Sequence, residues 1–157
     1  MEDSTPVTRA LQALNTPHRL FRHSHPVTSL EQAAQERGQR PAQVVRSILF
    51  RLAKDEFLMV LIAGPSQISW PALRSYLGLS RLTLATPQEV LEVTGYPLGA
   101  VSPFGLSRPL RVLIDSSVLK EDEISLGSGE KYATVFLRTD DLLKALGEVE
   151  IGDFCAG

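Results

Sequence analysis

This sequence of 157 residues contains a single cysteine, Cys155, close to its C-terminal end. A disulfide framework and a cysteine-based zinc site are therefore excluded within a single chain. Long apolar runs are missing as well, and none approaches the roughly 20 residues that a membrane-spanning helix requires. The first residues, Met1 to Leu14, are acidic and polar and do not resemble a secretory signal. We therefore expect a cytoplasmic protein.

The sequence also lacks the short motifs of several common enzyme classes. It contains neither the GxGxxG fingerprint of dinucleotide-binding folds nor a Walker motif. No GxSxG nucleophile elbow or Ser-His-Asp order can be read in it. Of the three histidines, His23 and His25 would share one face of a strand, as two metal ligands can. No motif supplies a third ligand, so solvent-facing or loop-fixing histidines are the simpler interpretation.

The composition is that of an ordinary folded domain. Hydrophobic residues make up 43% and charged residues 22% of the sequence, which argues against disorder. Proline and glycine fall between short elements, without repeats or low-complexity tracts. A length of 157 residues suits one domain, and we predict a single domain over residues 1–157.

Caps, turns and apolar patterns predict short helices interspersed with short strands. Five helices are predicted to begin near Pro6, Ser29, Ser69, Thr86 and Asp140, with a further helical turn at Pro41–Val45. Two apolar runs, Ser47–Leu52 and Phe57–Ala63, predict a central hairpin. Other strands are predicted at Arg19–His23, Arg81–Ala85, Leu110–Ile114, Glu123–Leu126 and Tyr132–Leu137, with Glu148–Ile151 as an optional addition. This order indicates an α+β fold with a mainly antiparallel or mixed sheet of about seven strands, which we expect to curl or close because closure removes exposed edges.

Charge is unevenly distributed, although the net charge is only −2. The segment from Ser4 to Arg51 holds seven arginines and two acidic residues, whereas Val112 to Gly157 holds four basic and ten acidic residues. A basic N-terminal third suits contact with phosphate. The plainer alternative, which charge alone favours, is that these arginines lie on solvated helix faces.

The most unusual segment runs from Gly95 to Gly105 and contains three glycines and two prolines. Gly99 allows a backbone to approach a ligand closely, and Pro103 stiffens the exit from the loop. Consecutive amides in such a loop can hold a carbonyl or phosphate oxygen. A plain connecting loop is the alternative. Gly127-Ser128-Gly129 is a weaker candidate for a second pocket wall and is more simply a hairpin turn.

Two charged residues stand at the ends of predicted strands. Arg46 follows Val44-Val45 and precedes the apolar run Ile48–Phe50, at the mouth of the predicted hairpin. Its guanidinium either reaches to solvent or is set in a pocket, and a pocket arginine beside an amide-rich loop suits phosphate or carboxylate. Asp115 is most simply a cap of the turn that follows it.

Five segments of the sequence together form a known pattern: Glu31–Ala34, Gln43–Ile48, Ala85–Val90, Thr94–Gly105 and Ile114-Asp115. This pattern resembles the YbaK/ProX family, which includes the insertion (editing) domain of bacterial prolyl-tRNA synthetase and its free-standing relatives. The resemblance covers nearly the whole chain. Its specific part is the block that ends in Phe104-Gly105, whereas the helical pieces are not specific.

The resemblance implies a mixed α+β fold with a curved, barrel-like sheet and flanking short helices. It implies hydrolysis of the ester between a wrong amino acid and the 3′ end of a tRNA, above all tRNA-Pro carrying alanine or cysteine, with no metal and no organic cofactor. The implied partner is the aminoacyl-tRNA 3′ end, and prolyl-tRNA synthetase is a further candidate. The alternatives are a binding module of the same fold and an amidase or esterase acting on a free small molecule.

The resemblance also assigns residues to the site. Arg46 and Gly99 are the expected catalytic residues, and Gly99 is expected to leave no room for a Cβ atom. The expected substrate-binding residues are Thr28, Ser47, Gly99, Ala100, Val101, Ser102, Pro103, Asp115 and Ser128. The basic N-terminal third, rather than the resemblance, supplies the expected tRNA-binding residues, Arg19, Arg22 and Arg40.

One position departs from the family pattern. Arg46 stands where the family has a functional lysine, and Ser47 replaces the threonine of many members. Lysine can lose its proton when buried, whereas arginine stays protonated. If the family's lysine acts electrostatically, Arg46 can serve with altered geometry. If it transfers a proton, this chain is expected to be weak or inactive as an enzyme and to act as a binding module.

Overall fold

The computed structural model describes residues 3–156, so Met1, Glu2 and Gly157 of the predicted domain lie outside the described residues. Its helices are α1 (Pro6–Ala13), α2 (Leu30–Arg37), α3 (Trp70–Leu77), α4 (Pro87–Thr94) and α5 (Thr139–Leu146), with 3₁₀ turns at Pro41–Gln43 and Ser116–Lys120. Its strands are β1 (Arg19–Arg22), β2 (Val45–Ala53), β3 (Glu56–Ala63), β4 (Thr83–Leu84), β5 (Arg111–Asp115), β6 (Glu123–Gly127), β7 (Ala133–Arg138) and β8 (Glu150–Gly152). Within residues 3–156, no helix is long and apolar enough to cross a membrane.

The helix boundaries follow the capping signals of the sequence. At the start of α4, the Thr86 hydroxyl accepts from the Glu89 amide at 3.1 Å, and the Glu89 carboxylate accepts from the Thr86 amide at 2.9 Å. This reciprocal pair satisfies two amides that a helix terminus otherwise leaves without partners. The five predicted helices are confirmed. The predicted turn at Pro41–Val45 is shorter than expected, because Val45 already begins β2.

The strands form two sheets. One is antiparallel with the order β1-β7-β6, and the other is mixed with the order β4-β2-β3-β5-β8. The predicted hairpin of β2 and β3 lies at the centre of the mixed sheet, in which β5 runs parallel to β3. The mixed α+β fold is therefore confirmed.

The expected closure into a barrel is not present in residues 3–156, where the two sheets meet at a bridge between Val44 and Ser125. The edges of the mixed sheet are instead kept short, because β4 has two residues and β8 has three. Short edge strands limit unwanted pairing without closure.

Both faces of the central hairpin are buried, which explains why its strands are continuous apolar runs. Leu49 and Leu61 face the main core, which lies between the two sheets and includes residues of α1, α4 and α5. Phe50 and Val60 point to the opposite face, where they pack in a second core with Leu73 of α3 and the C-terminal Phe154. The hairpin therefore fixes the position of the beginning of β2 relative to both cores.

The segment from Gly95 to Gly105 is folded into the structure by its own side chains. The buried Tyr96 hydroxyl donates to the Phe104 carbonyl at 2.6 Å and also contacts the Gly105 carbonyl at 2.9 Å. The Ser102 hydroxyl accepts from the Phe104 amide at 3.1 Å. Ala100 and Ser102 are fully buried. This glycine-rich segment is therefore a packed element of the core and presents a fixed backbone.

Replacing Tyr96 by phenylalanine tests this packing. Burial raises the pKa of Tyr96, so the hydroxyl stays a donor at neutral pH, and its removal leaves the buried Phe104 carbonyl without that bond. We expect Tyr96→Phe to lower the free energy of unfolding by about 1–3 kcal/mol, measured by urea denaturation. The control is Tyr132→Phe, because the Tyr132 side chain is exposed and its hydroxyl makes no hydrogen bond within residues 3–156. Equal stability of the two variants would contradict the packing described above.

Candidate functional site

A cavity of about 310 Å³ lies where the beginning of β2, the segment Gly95–Gly105 and the end of β6 come together. The Val44–Ser125 bridge brings β2 beside β6. The Ala100 carbonyl accepts from the Gly129 amide at 2.9 Å, which holds the loop against the turn after β6. The cavity is lined by Arg37, Val44, Val45, Arg46, Ser47, Leu98, Gly99, Val101, Leu126, Gly127, Ala133 and Thr134.

Glycine is needed at two positions of this cavity for different structural reasons. A Cβ atom on Gly127 would lie 2.2 Å from the Val101 carbonyl oxygen and 2.8 Å from the Ala100 carbonyl, so the close backbone approach is at Gly127. The expectation that Gly99 leaves no room for a Cβ atom is wrong, because within residues 3–156 no atom outside its two chain neighbours lies within 4 Å of that position. Gly99 has a φ of +88°, which L-residues rarely adopt, and this angle is the reason for glycine there.

Arg46 and Ser47 bring polar groups from β2 to the cavity. One terminal nitrogen of the Arg46 guanidinium, Nη2, donates to the Ser66 carbonyl, while its Nε is buried without a partner in residues 3–156. The Ser47 hydroxyl is likewise buried and without a partner in that range. Burial lowers the pKa of Arg46 below its ordinary value. Both residues line the cavity, but as neighbours in a strand their side chains point to opposite faces of β2, and each carries a polar group whose hydrogen-bonding capacity is not fully used in the described part of the chain.

The amides of the glycine-rich segment are only partly used by the fold. The Ala100 amide, one of the expected ligand donors, donates instead to the Pro97 carbonyl at 3.1 Å and closes a turn. The amides of Gly99 and Val101, which both line the cavity, have no hydrogen-bond partner in the described part of the chain. These two amides remain as backbone donors for a bound oxygen.

The other expected substrate-binding residues lie behind or beside the cavity. Ser102 and Pro103 are buried within the loop packing. Asp115 is buried as well, and it accepts from the Ser117 and Phe154 amides, at 3.0 and 2.6 Å, as a structural cap. Ser128 fixes its own turn through the Ala133 carbonyl. Thr28 is exposed and donates to Gln32 at 2.8 Å, beside the start of α2. Of these, none is among the residues that line the cavity described above.

The three expected tRNA-binding arginines are exposed, and each has an acidic neighbour. Arg22 pairs with Asp3 at 2.7 Å, Arg19 approaches Glu123 at 3.5 Å, and Arg40 pairs with Glu121. Exposed ion pairs of this kind contribute little to stability, and each arginine must exchange its carboxylate for a phosphate to contact tRNA. The positions are therefore accessible to a large polyanion.

Sequence reasoning missed Arg37 as a site residue. This residue ends α2 and lines the cavity, where its guanidinium donates to His23 and to Ser125. The neighbouring Glu36 contacts both His23 and His25 at 3.0 Å, so the two histidines weighed as metal ligands face one carboxylate. The local sequence shows only an arginine before a helix-ending glycine, which gives no signal of a pocket.

The lining residues can bind and polarise an oxygen but do not include a proton carrier. The lining residues include two arginines, a serine, a threonine and the two residues with free amides, and the rest are mostly aliphatic. None of the lining residues just named is a carboxylate, an imidazole or a thiol. Such an arrangement suits electrostatic stabilisation of developing negative charge in an apolar site.

Residues 24–145 match the family of aminoacyl-tRNA editing domains. Among curated relatives, the proline–tRNA ligase of Thermosipho melanesiensis is 30% identical over 121 residues, which cover 75% of this chain and 21% of the ligase. The chain thus spans about a fifth of the length of the ligases it matches. The uncharacterized protein YwhH of Bacillus subtilis is 29% identical over 114 residues, which cover 73% of this chain and 72% of that protein.

Solved structures agree with this relationship. A crystal structure described as that of a candidate trans-editing enzyme for prolyl tRNA synthetase has a TM-score of 0.88 at 27% identity and covers 97% of this chain and 96% of that chain. The hypothetical protein APE2540 has a TM-score of 0.86 at 24% identity, covering 96% and 99%, and shows a likeness of fold. The resemblance stated from the sequence is confirmed. The chain belongs to the family of aminoacyl-tRNA editing domains.

Proposed function

We propose that this chain is a stand-alone aminoacyl-tRNA deacylase that hydrolyses the ester of a mischarged tRNA. Membership of the editing-domain family supports the class of substrate. The observation that carries the proposal is the cavity itself, whose lining includes Arg46 and Ser47 of β2 together with Gly99 and Val101, the two loop residues whose amides have no partner within residues 3–156. An ester carbonyl bound in this cavity could accept from the amides of Gly99 and Val101.

An aminoacyl ester is already an activated acyl group, so the site needs to position water and stabilise the oxyanion. The tetrahedral intermediate forms when water attacks the ester carbonyl, and it collapses by releasing the 3′ hydroxyl of the tRNA. The amides of Gly99 and Val101 are the proposed oxyanion donors, and Arg46 acts as a fixed cation. Arginine stays protonated, so the proton of the attacking water passes to a group of the substrate or to solvent.

We expect the site to act on a small or medium amino acid. A volume of about 310 Å³ lies at the lower end of the range of roughly 300–1,000 Å³ typical of small-molecule sites. Its aliphatic walls suit an apolar side chain, and steric exclusion of larger residues is easier than rejection of smaller ones.

We propose tRNA-Pro carrying alanine or cysteine as the substrate, delivered in the cytoplasm with or without prolyl-tRNA synthetase. We also propose that Arg19, Arg22 and Arg40 contact the tRNA phosphates.

A deacylation screen over a panel of mischarged tRNAs tests the proposal. We expect turnover of at least one tRNA that carries a small amino acid, measured as loss of acid-precipitable aminoacyl-tRNA above the rate without protein. Binding of aminoacylated tRNA without turnover of any of them would favour the alternative, a binding module, for which the arginine at position 46 is the specific reason.

Gly99→Ala tests the backbone of the loop. Alanine at a φ of +88° is strained by about 1–2 kcal/mol, so the loop is expected to shift its amides and deacylation to fall by roughly a hundredfold. The matched control is Gly78→Ala, because Gly78 ends α3 with a φ of +69° and, apart from its chain neighbours, also has no described atom within 4 Å of its Cβ position. Both variants should lose similar stability, whereas the control keeps its activity. Normal deacylation by folded Gly99→Ala protein would remove the loop from the site.

Substitutions of Arg46 test the fixed cation. We expect Arg46→Ala to lose roughly a hundredfold in single-turnover rate and Arg46→Lys to retain activity. The parent rate should show no ionisation of residue 46 between roughly pH 6 and 9, because arginine stays charged there. The lysine variant should lose activity as pH rises, because burial lowers the pKa of a lysine. An Arg46→Ala variant as fast as the parent would show that this mechanism is wrong.

A further inference from the structure

A second cavity of about 280 Å³ adjoins the first. The two share Arg37, Leu98, Gly99 and Ala133 as lining residues, so they form an inner and an outer part of one site. The outer cavity adds Lys131 and Tyr132, which follow the turn after β6. Arg37 therefore stands where the inner cavity opens into the outer one.

Within residues 3–156 no carboxylate bonds the Arg37 guanidinium directly, although the charge of the neighbouring Glu36 acts on it. Its Nε donates to His23 Nε2 at 3.0 Å and its Nη1 donates to Ser125 Oγ at 3.3 Å, while Nη2 has no partner in residues 3–156. Because arginine can only donate, His23 Nε2 is the acceptor and the ring proton lies on Nδ1, which donates to Glu36 at 3.0 Å. Glu36 is thus engaged with His23 and fixes the tautomer that orients Arg37.

A largely buried cation without an anionic partner is costly unless a ligand supplies the anion. Burial lowers the pKa of Arg37 to about 10, which leaves the guanidinium charged at neutral pH. None of the residues that line the inner or outer cavity is acidic. The positive charge at this junction is therefore available to an anion that enters from outside.

Tyr132 contributes an aromatic residue to the same outer cavity. Its side chain is 46% exposed, and its backbone has a φ of +64°, which is rare and unfavourable for a bulky residue. The conformation is kept by the Tyr132 carbonyl, which accepts from the His23 amide at 2.8 Å. His23 therefore joins both groups, since its ring holds Arg37 and its amide holds Tyr132. The adjacent Lys131 is exposed and makes no ion pair within residues 3–156.

We propose that the outer cavity is a nucleotide subsite that holds the terminal nucleotide of the aminoacylated tRNA. Arg37 and Lys131 bind its 5′ phosphate, and the base stacks on the ring of Tyr132. This inference rests on the proposed function, because the ester carried on the ribose must then reach the inner cavity.

The chemistry of the outer cavity favours a nucleotide over a simple anion. A guanidinium and an ammonium group suit a phosphate, and an exposed aromatic ring suits any base, since every base has a stacking face. A free carboxylate or inorganic phosphate would use the cations but leave the half-exposed ring without a partner. Because the outer cavity is continuous with the inner one, a nucleotide bound there can carry its aminoacyl ester into the inner cavity.

The test compares binding of adenosine 5′-monophosphate and adenosine to the full chain by calorimetry, in the absence of any aminoacyl group. We expect the monophosphate to bind roughly tenfold or more tightly than adenosine. Arg37→Gln should abolish that preference, and Lys131→Ala should reduce it. Tyr132→Asn, which tolerates a positive φ, should weaken both ligands by about fivefold or more, whereas Tyr132→Phe should bind as the parent does.

The control for charge is Arg108→Gln, because Arg108 is exposed, lies 5.4 Å from the ring of Phe57 and lines neither cavity. A purely structural role of Arg37 would weaken both ligands equally, and this result would overturn the proposal. Equal affinity of the parent for the two ligands would also overturn it. If Arg37→Gln does not fold, the Lys131 and Tyr132 variants test the proposal, because both residues are exposed and their substitution does not disturb the core.

The binding experiment is independent of hydrolysis. A chain that binds the monophosphate as expected but deacylates none of the tested tRNAs would contradict the proposed enzyme while leaving the nucleotide subsite in place. A chain that deacylates without preferring the monophosphate would contradict the subsite alone.

Discussion

The site depends on the contact between Gly127 and the backbone at Ala100 and Val101. Only a residue without a Cβ atom allows this approach, because that atom would lie 2.2 Å from the Val101 carbonyl oxygen. The contact fastens the glycine-rich segment to the end of β6, and the Ala100–Gly129 hydrogen bond continues it into the next turn. The fold thus holds the amides of the loop in place before any ligand binds, which is the condition for electrostatic stabilisation without reorganisation.

The charges of the site follow a consistent pattern. The cavity presents the guanidinium groups of Arg37 and Arg46 and no carboxylate among its lining residues, while the acid nearest to Arg37 in sequence, Glu36, is occupied by two histidines. Such a site attracts anions and stabilises developing negative charge, but it lacks a side chain that can take a proton. The proposed substrate fits these properties, because an aminoacyl ester is already activated and needs no side-chain base.

Much of the fold was predictable from the sequence because it rests on local signals. The capping box at Thr86 and Glu89 and the apolar runs of the hairpin each act within a few residues. The arrangement of the strands in two sheets that meet at the Val44–Ser125 bridge depends on contacts distant in sequence, so it could not be predicted from local signals. The same holds for the site: the unusual loop was recognisable, but the close approach at Gly127 and the role of Arg37 arise only when distant segments meet.

The most direct test of the central claim is a crystal structure of the chain with a 3′-amide-linked alanyl adenosine, in which the ester is replaced by a stable amide. The account predicts the alanyl group in the cavity between β2 and the glycine-rich segment, with its carbonyl oxygen about 3 Å from the amide of Gly99 or Val101. An alanyl group bound outside this cavity, or a carbonyl oxygen turned away from both amides, would contradict it.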